Sequence, residues 1–171
     1  MPQAILPSTQ RRATFDALSL SIEWLGRALT AEIPGHEREW AEEVGYALAN
    51  IQKGLRQHLA TAYALDGPLA DIEKLRPTLS RQVIELRRQQ ERLLAQCAAL
   101  SEEVQRAAAA FTPSIEIFDR SAVEPAEAGG VADFGCIRDQ AGQLVSNLQE
   151  TKATEASLLL ESVNTDIGVG D

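Results

Sequence analysis

The residues able to do chemistry are few, and they sit where apolar residues are expected. Two histidines occur in the 171 residues, His36 and His58. His58 falls on an apolar stripe formed by Trp40, Val44, Leu48, Ile51, Leu55, Ala62 and Leu65. Gln90 interrupts a seam of Leu79, Val83, Leu86, Leu93, Cys97, Leu100, Val104 and Ala107. Thr151 and Glu155 interrupt a third, with Ile137, Ala141, Leu144, Leu148 and Leu158. An imidazole and a carboxylate on facing helices are the groups from which helical bundles build metal sites. His58 and Glu155 are therefore the candidate ligands, for iron or zinc. A buried amide such as Gln90 is costly unless hydrogen-bonded. The plainer reading makes His58 a hydrogen-bonded core residue, Glu155 its partner and Gln90 a residue that fixes register.

These side chains need helices to hold them. The three- and four-residue steps of each seam give a period near 3.5, which places each set on one face of one helix. Four long helices are expected. The first runs from about Gln10 to Glu32, with Phe15, Leu18, Ile22, Leu25 and Leu29 inward and Trp24 beside them. Pro34-Gly35 ends it. The second runs from about His36 to Leu65 and stops at Asp66-Gly67-Pro68. Leu69 to Leu75 reads as a short helical turn. The third starts at Pro77, a residue suited to a first helical turn, and ends near Ala110. The fourth runs from about Ala132 to Val163.

Short connections make sequential helices antiparallel neighbours, so the expected fold is all-α, an up-down-up-down four-helix bundle. Residues 10–163 form one domain, residues 1–9 a flexible lead-in and residues 164–171 an acidic, Gly-rich tail. The stretch 111–131 is a long connection containing Pro113, Pro125, Gly129 and Gly130, with Ile115, Ile117 and Phe118 able to anchor it. At about 1.5 Å of rise per residue, His58 and Glu155 stand roughly 10 to 12 Å from one end of the bundle. Gln90, Thr151 and Trp24 stand roughly 18 to 20 Å from it on the same count. All five belong to one broad polar layer inside the core.

Composition narrows the partners. The formal net charge is −9, hydrophobic residues make up 44% and aromatics only 5%. An acidic chain whose arginines come as short pairs is a poor nucleic-acid binder. No apolar run approaches a membrane span. Cys97 and Cys136 lack metal-ligand spacing and read as thiols of a cytoplasmic protein. The charged residues of the third helix, Arg87, Arg88, Glu91, Arg92, Glu102 and Glu103 among them, read as a solvated face. No nucleophile elbow or phosphate-binding Gly loop occurs, so a non-catalytic role is expected, as a monomer or homodimer with a protein partner.

The run Leu55-Arg56-Gln57-His58, then Leu69, Pro77 and Leu86-Arg87-Arg88-Gln89-Gln90-Glu91-Arg92-Leu93, resembles the hemerythrin-like (HHE) helical bundle family. Leu148 to Leu158 is similar to that family's fourth helix, and the resemblance spans about Leu18 to Gly170 apart from the long connection. It implies a non-haem di-iron centre used in oxygen binding, sensing or iron handling. His58 matches the second-helix His, and Glu155 the fourth-helix Glu. Ala62 stands in place of the second-helix Glu, Gln90 of the third-helix His and Thr151 of the fourth-helix His. Trp24 lies near the position of a first-helix His. The resemblance therefore implies a bundle with a degenerate metal centre and no cofactor, acting as a structural or interaction module. The other expectation is a residual iron or zinc site on His58 and Glu155.

Overall fold

A computed structural model of the chain describes residues 8–31, 35–110 and 134–164. The lead-in before residue 8, Pro34, the side chain of Phe15, the connection over 111–131 and the tail beyond Asn164 lie outside the described residues. Within them every regular element is a helix: α1 (Ser8–Thr30), α2 (Glu37–Ala62), α3 (Pro68–Leu75), α4 (Pro77–Ala110) and α5 (Phe134–Asn164). No helix among the described residues is long and apolar enough to cross a membrane.

The helix boundaries follow local chemistry. Gly35 takes a φ of +83°, a left-handed conformation that glycine adopts without penalty. Its N–H donates to the Glu37 carboxylate at 3.0 Å, which ties the turn to the first residue of α2. That hydrogen bond also holds the Glu37 carboxyl below the usual carboxylate range. Helix α2 stops at Ala62, three residues before the expected end at Leu65. There the chain turns, with Gly67 N–H donating to Ala64 O at 2.8 Å. Pro68 and Pro77 open α3 and α4, where a missing N–H costs nothing. The turn expected over Leu69 to Leu75 is a complete eight-residue helix.

Helix α4 packs against α2, α3 and α5; α1 packs against α2 and α5. Residue pairings fix the directions. Leu18 on α1 lies 3.3 Å from where a Cβ on Gly54 of α2 would stand. Further along α1, Ala28 O accepts a hydrogen bond from Trp40 Nε1 at 3.1 Å. The α2 residues fall in number as the α1 residues rise, so these two helices are antiparallel. Likewise Lys152 donates to Ser19 and Arg138 to Ala31 O, so α5 runs antiparallel to α1.

Among the described residues the interior holds two apolar clusters. The larger joins Leu18, Leu25, Trp40, Leu48, Ile51, Leu55, Leu93, Cys97, Leu144 and Leu148 with their neighbours on α1, α2, α4 and α5. The smaller joins Ala62, Leu69, Ile72, Leu79, Val83, Leu86 and Leu158, so α3 caps one end of the core. The order along each helix is informative. On α2 the large cluster reaches Leu55 and the small one begins at Ala62; on α4 the gap lies between Leu86 and Leu93; on α5 it lies between Leu148 and Leu158. A polar plane fills that gap.

Candidate functional site: a buried polar plane around Glu155

His58, Gln90 and Glu155 each lie within the gap on their own helix. They are 8%, 2% and 4% exposed. Each is placed by the same rule: a polar residue substituted into an apolar stripe must face the core with the rest of the stripe. Their side chains converge on one oxygen. His58 Nε2 lies 2.9 Å from Glu155 Oε2, and Gln90 Nε2 donates to the same oxygen at 3.0 Å. Gln90 Oε1 in turn accepts a hydrogen bond from the Tyr63 hydroxyl at 3.1 Å. The donors run Tyr63 to Gln90 to Glu155, with His58 arriving from α2, so one carboxylate ties α2, α4 and α5 together. A carboxylate accepting several hydrogen bonds is a stronger acceptor than a neutral group.

Tyr63 is the member that the sequence pattern misses. It lies off the α2 stripe and serves as the C-cap residue of that helix, its N–H donating to Leu59 O at 3.4 Å. The Arg87 guanidinium sits 5.2 Å from its ring centroid. Burial, reinforced by the negative charge of Glu155, pushes the Tyr63 hydroxyl well above the ordinary phenol range. It stays a hydrogen-bond donor at any ordinary pH. The available signal was an aromatic residue directly before a helix stop, with polar positions of other stripes at the same height.

The other expected members of the layer behave differently. Thr151 is buried, but its hydroxyl donates to Asn147 O at 2.7 Å, one turn back in its own helix. Ala62 is buried one turn beyond His58, in the small apolar cluster. Trp24 is not in the layer. It is half-buried, its Nε1 donates to Glu43 at 3.1 Å and its ring centroid lies 5.0 Å from that of Tyr46. Tyr46 precedes His58 by twelve residues on α2, about 18 Å along the axis. Leu18 already faces Gly54. The height of His58 therefore falls about one turn before Leu18, and counting rise from helix ends puts Trp24 too near it. His36 is exposed at the start of α2.

As a donor set the plane holds one imidazole and one carboxylate, with a carboxamide whose nitrogen is already aimed at that carboxylate. Ala62 has no ligating atom, and the Thr151 hydroxyl is committed to backbone. First-row metals in such bundles are held by several imidazoles and bridging carboxylates. The residues present do not fit a di-iron centre. Among the described residues, no group of three or more His, Cys, Asp or Glu is arranged to hold a metal ion.

A second polar bridge lies further along α2. Gln52 Nε2 donates to Ser101 Oγ at 2.8 Å and to Cys97 O at 3.3 Å, and Arg56 donates to Gln52 Oε1 at 3.0 Å. Neither Cys97 nor Cys136 forms a disulfide. Cys97 is fully buried, its Sγ 3.4 Å from Leu48 O, and burial pushes its thiol up to about 12.

The chain was compared with protein-family models, with curated proteins and with solved structures, and matches none of them.

Proposed function

We propose that the chain is an up-down-up-down four-helix bundle of hemerythrin-like type with a degenerate metal centre, serving as a non-catalytic structural or protein-interaction module. One observation carries the reading: the Glu155 carboxylate oxygen at the heart of the polar plane is shared by His58 and Gln90. Where a metalloprotein would converge ligands on a metal, these side chains converge on each other. The network then fixes the register of three helices, a known use of buried polar groups. The working environment in this reading is cytoplasmic.

The second reading is a residual mononuclear site, with His58 and Glu155 as protein ligands and solvent completing the shell. The proximity of one imidazole to one carboxylate favours it. Metal analysis of freshly purified protein separates the two. Near-stoichiometric iron or zinc that disappears in His58→Ala establishes the second reading. Metal at trace level in both proteins supports the first.

A further inference from the structure

Two exposed faces have complementary chemistry. The first lies along the outside of α1 and α2. Of eight aromatic residues in the chain, two meet there: Trp24 is half-buried and Tyr46 is 59% exposed, their rings in tilted contact. Leu20, one turn before Trp24, is 62% exposed. Glu43 is hydrogen-bonded to Trp24 Nε1, and Glu39 lies one turn from it on α2. Glu23 flanks the face on α1, with Arg27 as the nearby cation. Trp and Tyr dominate the energetics of protein interfaces, and their faces attract cations.

The second face lies on the first half of α4. Between Pro77 and Arg92 the helix carries four basic residues, Arg81, Arg87, Arg88 and Arg92, against two acidic ones, Glu85 and Glu91, in a protein of net charge −9. Pro77, Ser80, Arg81, Ile84, Glu85 and Arg88 form one strip along the outer face of α4. Ile84 is 39% exposed. Glu85 is held by Arg92 at 2.8 Å and lies 3.9 Å from Arg88, so the strip's one carboxylate is neutralised. Arg81 forms no ion pair with the described residues.

We infer that the acidic aromatic face around Trp24 and Tyr46 docks onto the basic α4 strip around Arg81 and Arg88 of a second copy of this chain. An arginine would sit over the exposed Tyr46 ring, carboxylates of one copy would face guanidinium groups of the other, and Leu20 and Ile84 would supply the apolar contact. The two faces are different surfaces, so the contact is heterologous and leaves one free face at each end of a dimer. Association grows with concentration rather than stopping at two copies. The inference deepens the interaction-module reading and rests on it: the partner is the chain itself.

Sedimentation velocity across a concentration series tests it. Wild type is expected to shift to larger species as concentration rises, and to lose that shift when salt is raised from about 0.1 M to about 1 M, as screening shortens from about 10 Å to about 3 Å. Tyr46→Ser/Glu43→Arg disables the aromatic face, and Arg81→Glu/Arg88→Glu disables the basic strip. Each variant alone is expected to weaken association by about tenfold or more. Mixed together they should form a one-to-one complex and nothing larger, because each keeps the face that the other lost. Circular dichroism melts show that both variants fold. A wild type that stays monomeric throughout overturns the inference, as does a mixture that behaves as two monomers. So does association unaffected by either variant. Metal content measured on the same wild-type preparation keeps the failures apart. A monomer without metal sinks only the self-docking, whereas stoichiometric metal sinks the interaction-module reading beneath it.

Discussion

His58 on α2 and Glu155 on α5 meet at 2.9 Å in the interior, 97 residues apart in sequence, at the plane where one apolar cluster ends and another begins. Gln90 closes the contact from α4 by donating to the same carboxylate oxygen. The core is thus two apolar compartments joined across a hydrogen-bonded plane. Its polar atoms are costly to strand, which makes their partners the first place to probe.

Gln90→Leu removes the donor to Glu155 and the acceptor of the Tyr63 hydroxyl in one step. Leaving buried partners unsatisfied costs about 1–3 kcal/mol. The variant is expected to be destabilised by that amount in urea denaturation, with an unchanged m-value. A neutral or stabilised variant would mean that the plane is not a closed network.

Two glycines should respond oppositely to alanine. A Cβ on Gly67 would stand 2.3 Å from Ala62 O and 2.6 Å from Thr61 O, both backbone atoms that cannot move aside cheaply. Gly67→Ala is expected to lower stability by about 1–3 kcal/mol, the usual cost of overpacking. Gly142 lies inside α5 with no atom beyond its own stretch of helix backbone within 4 Å of the added Cβ. Gly142→Ala is expected to raise stability by about 0.5–1 kcal/mol, through helix propensity. Thermal melts of the two variants check both signs.

Alkaline pH should weaken the fold through two protons. Burial raises the Cys97 thiol to about 12, and burial together with Glu155 raises the Tyr63 hydroxyl. The unfolded thiol gives up its proton from about pH 8.5 upward while the folded one keeps it. Above that pH the unfolded state binds fewer protons, so stability falls as pH rises and is fully present below it. Cys97→Ala is expected to flatten the slope of stability against pH between about 8.5 and 10. Thiol labelling at pH 8 offers a second check: the exposed Cys136 should react in the native chain, and the buried Cys97 only after unfolding.

Adding metal ligands of the kind hemerythrin-like bundles carry should depend on where each helix places them. Ala62→Glu, Gln90→His and Thr151→His alter positions on or within one turn of the plane. Trp24→His adds an imidazole about 18 Å away along the bundle. Iron uptake by the triple variant is therefore expected to be the same with or without Trp24→His. An increase on adding it would contradict the antiparallel register of α1 and α2.

Periodic apolar residues made the helices legible in advance, because burying a stripe of a 3.6-residue helix demands that spacing whatever its neighbours are. The same spacing marked His58, Gln90, Thr151 and Glu155 as inward-facing, and all four are buried. Proline and glycine marked the breaks, since a missing N–H or a left-handed φ is a local requirement. Which buried polar groups touch depends instead on the relative sliding of helices, set by side chains such as Leu18 against Gly54 rather than by any one segment. A shift of a few residues moved Trp24 out of the polar plane, and the end of α2 brought Tyr63 into it. Thr151 turned to its own backbone, donating to the Asn147 carbonyl one turn back. The sequence by itself determined the helices and their inward faces, through interactions within about four residues. The tertiary structure decided that His58 and Gln90 share one oxygen of Glu155, because only the packed register sets heights between helices.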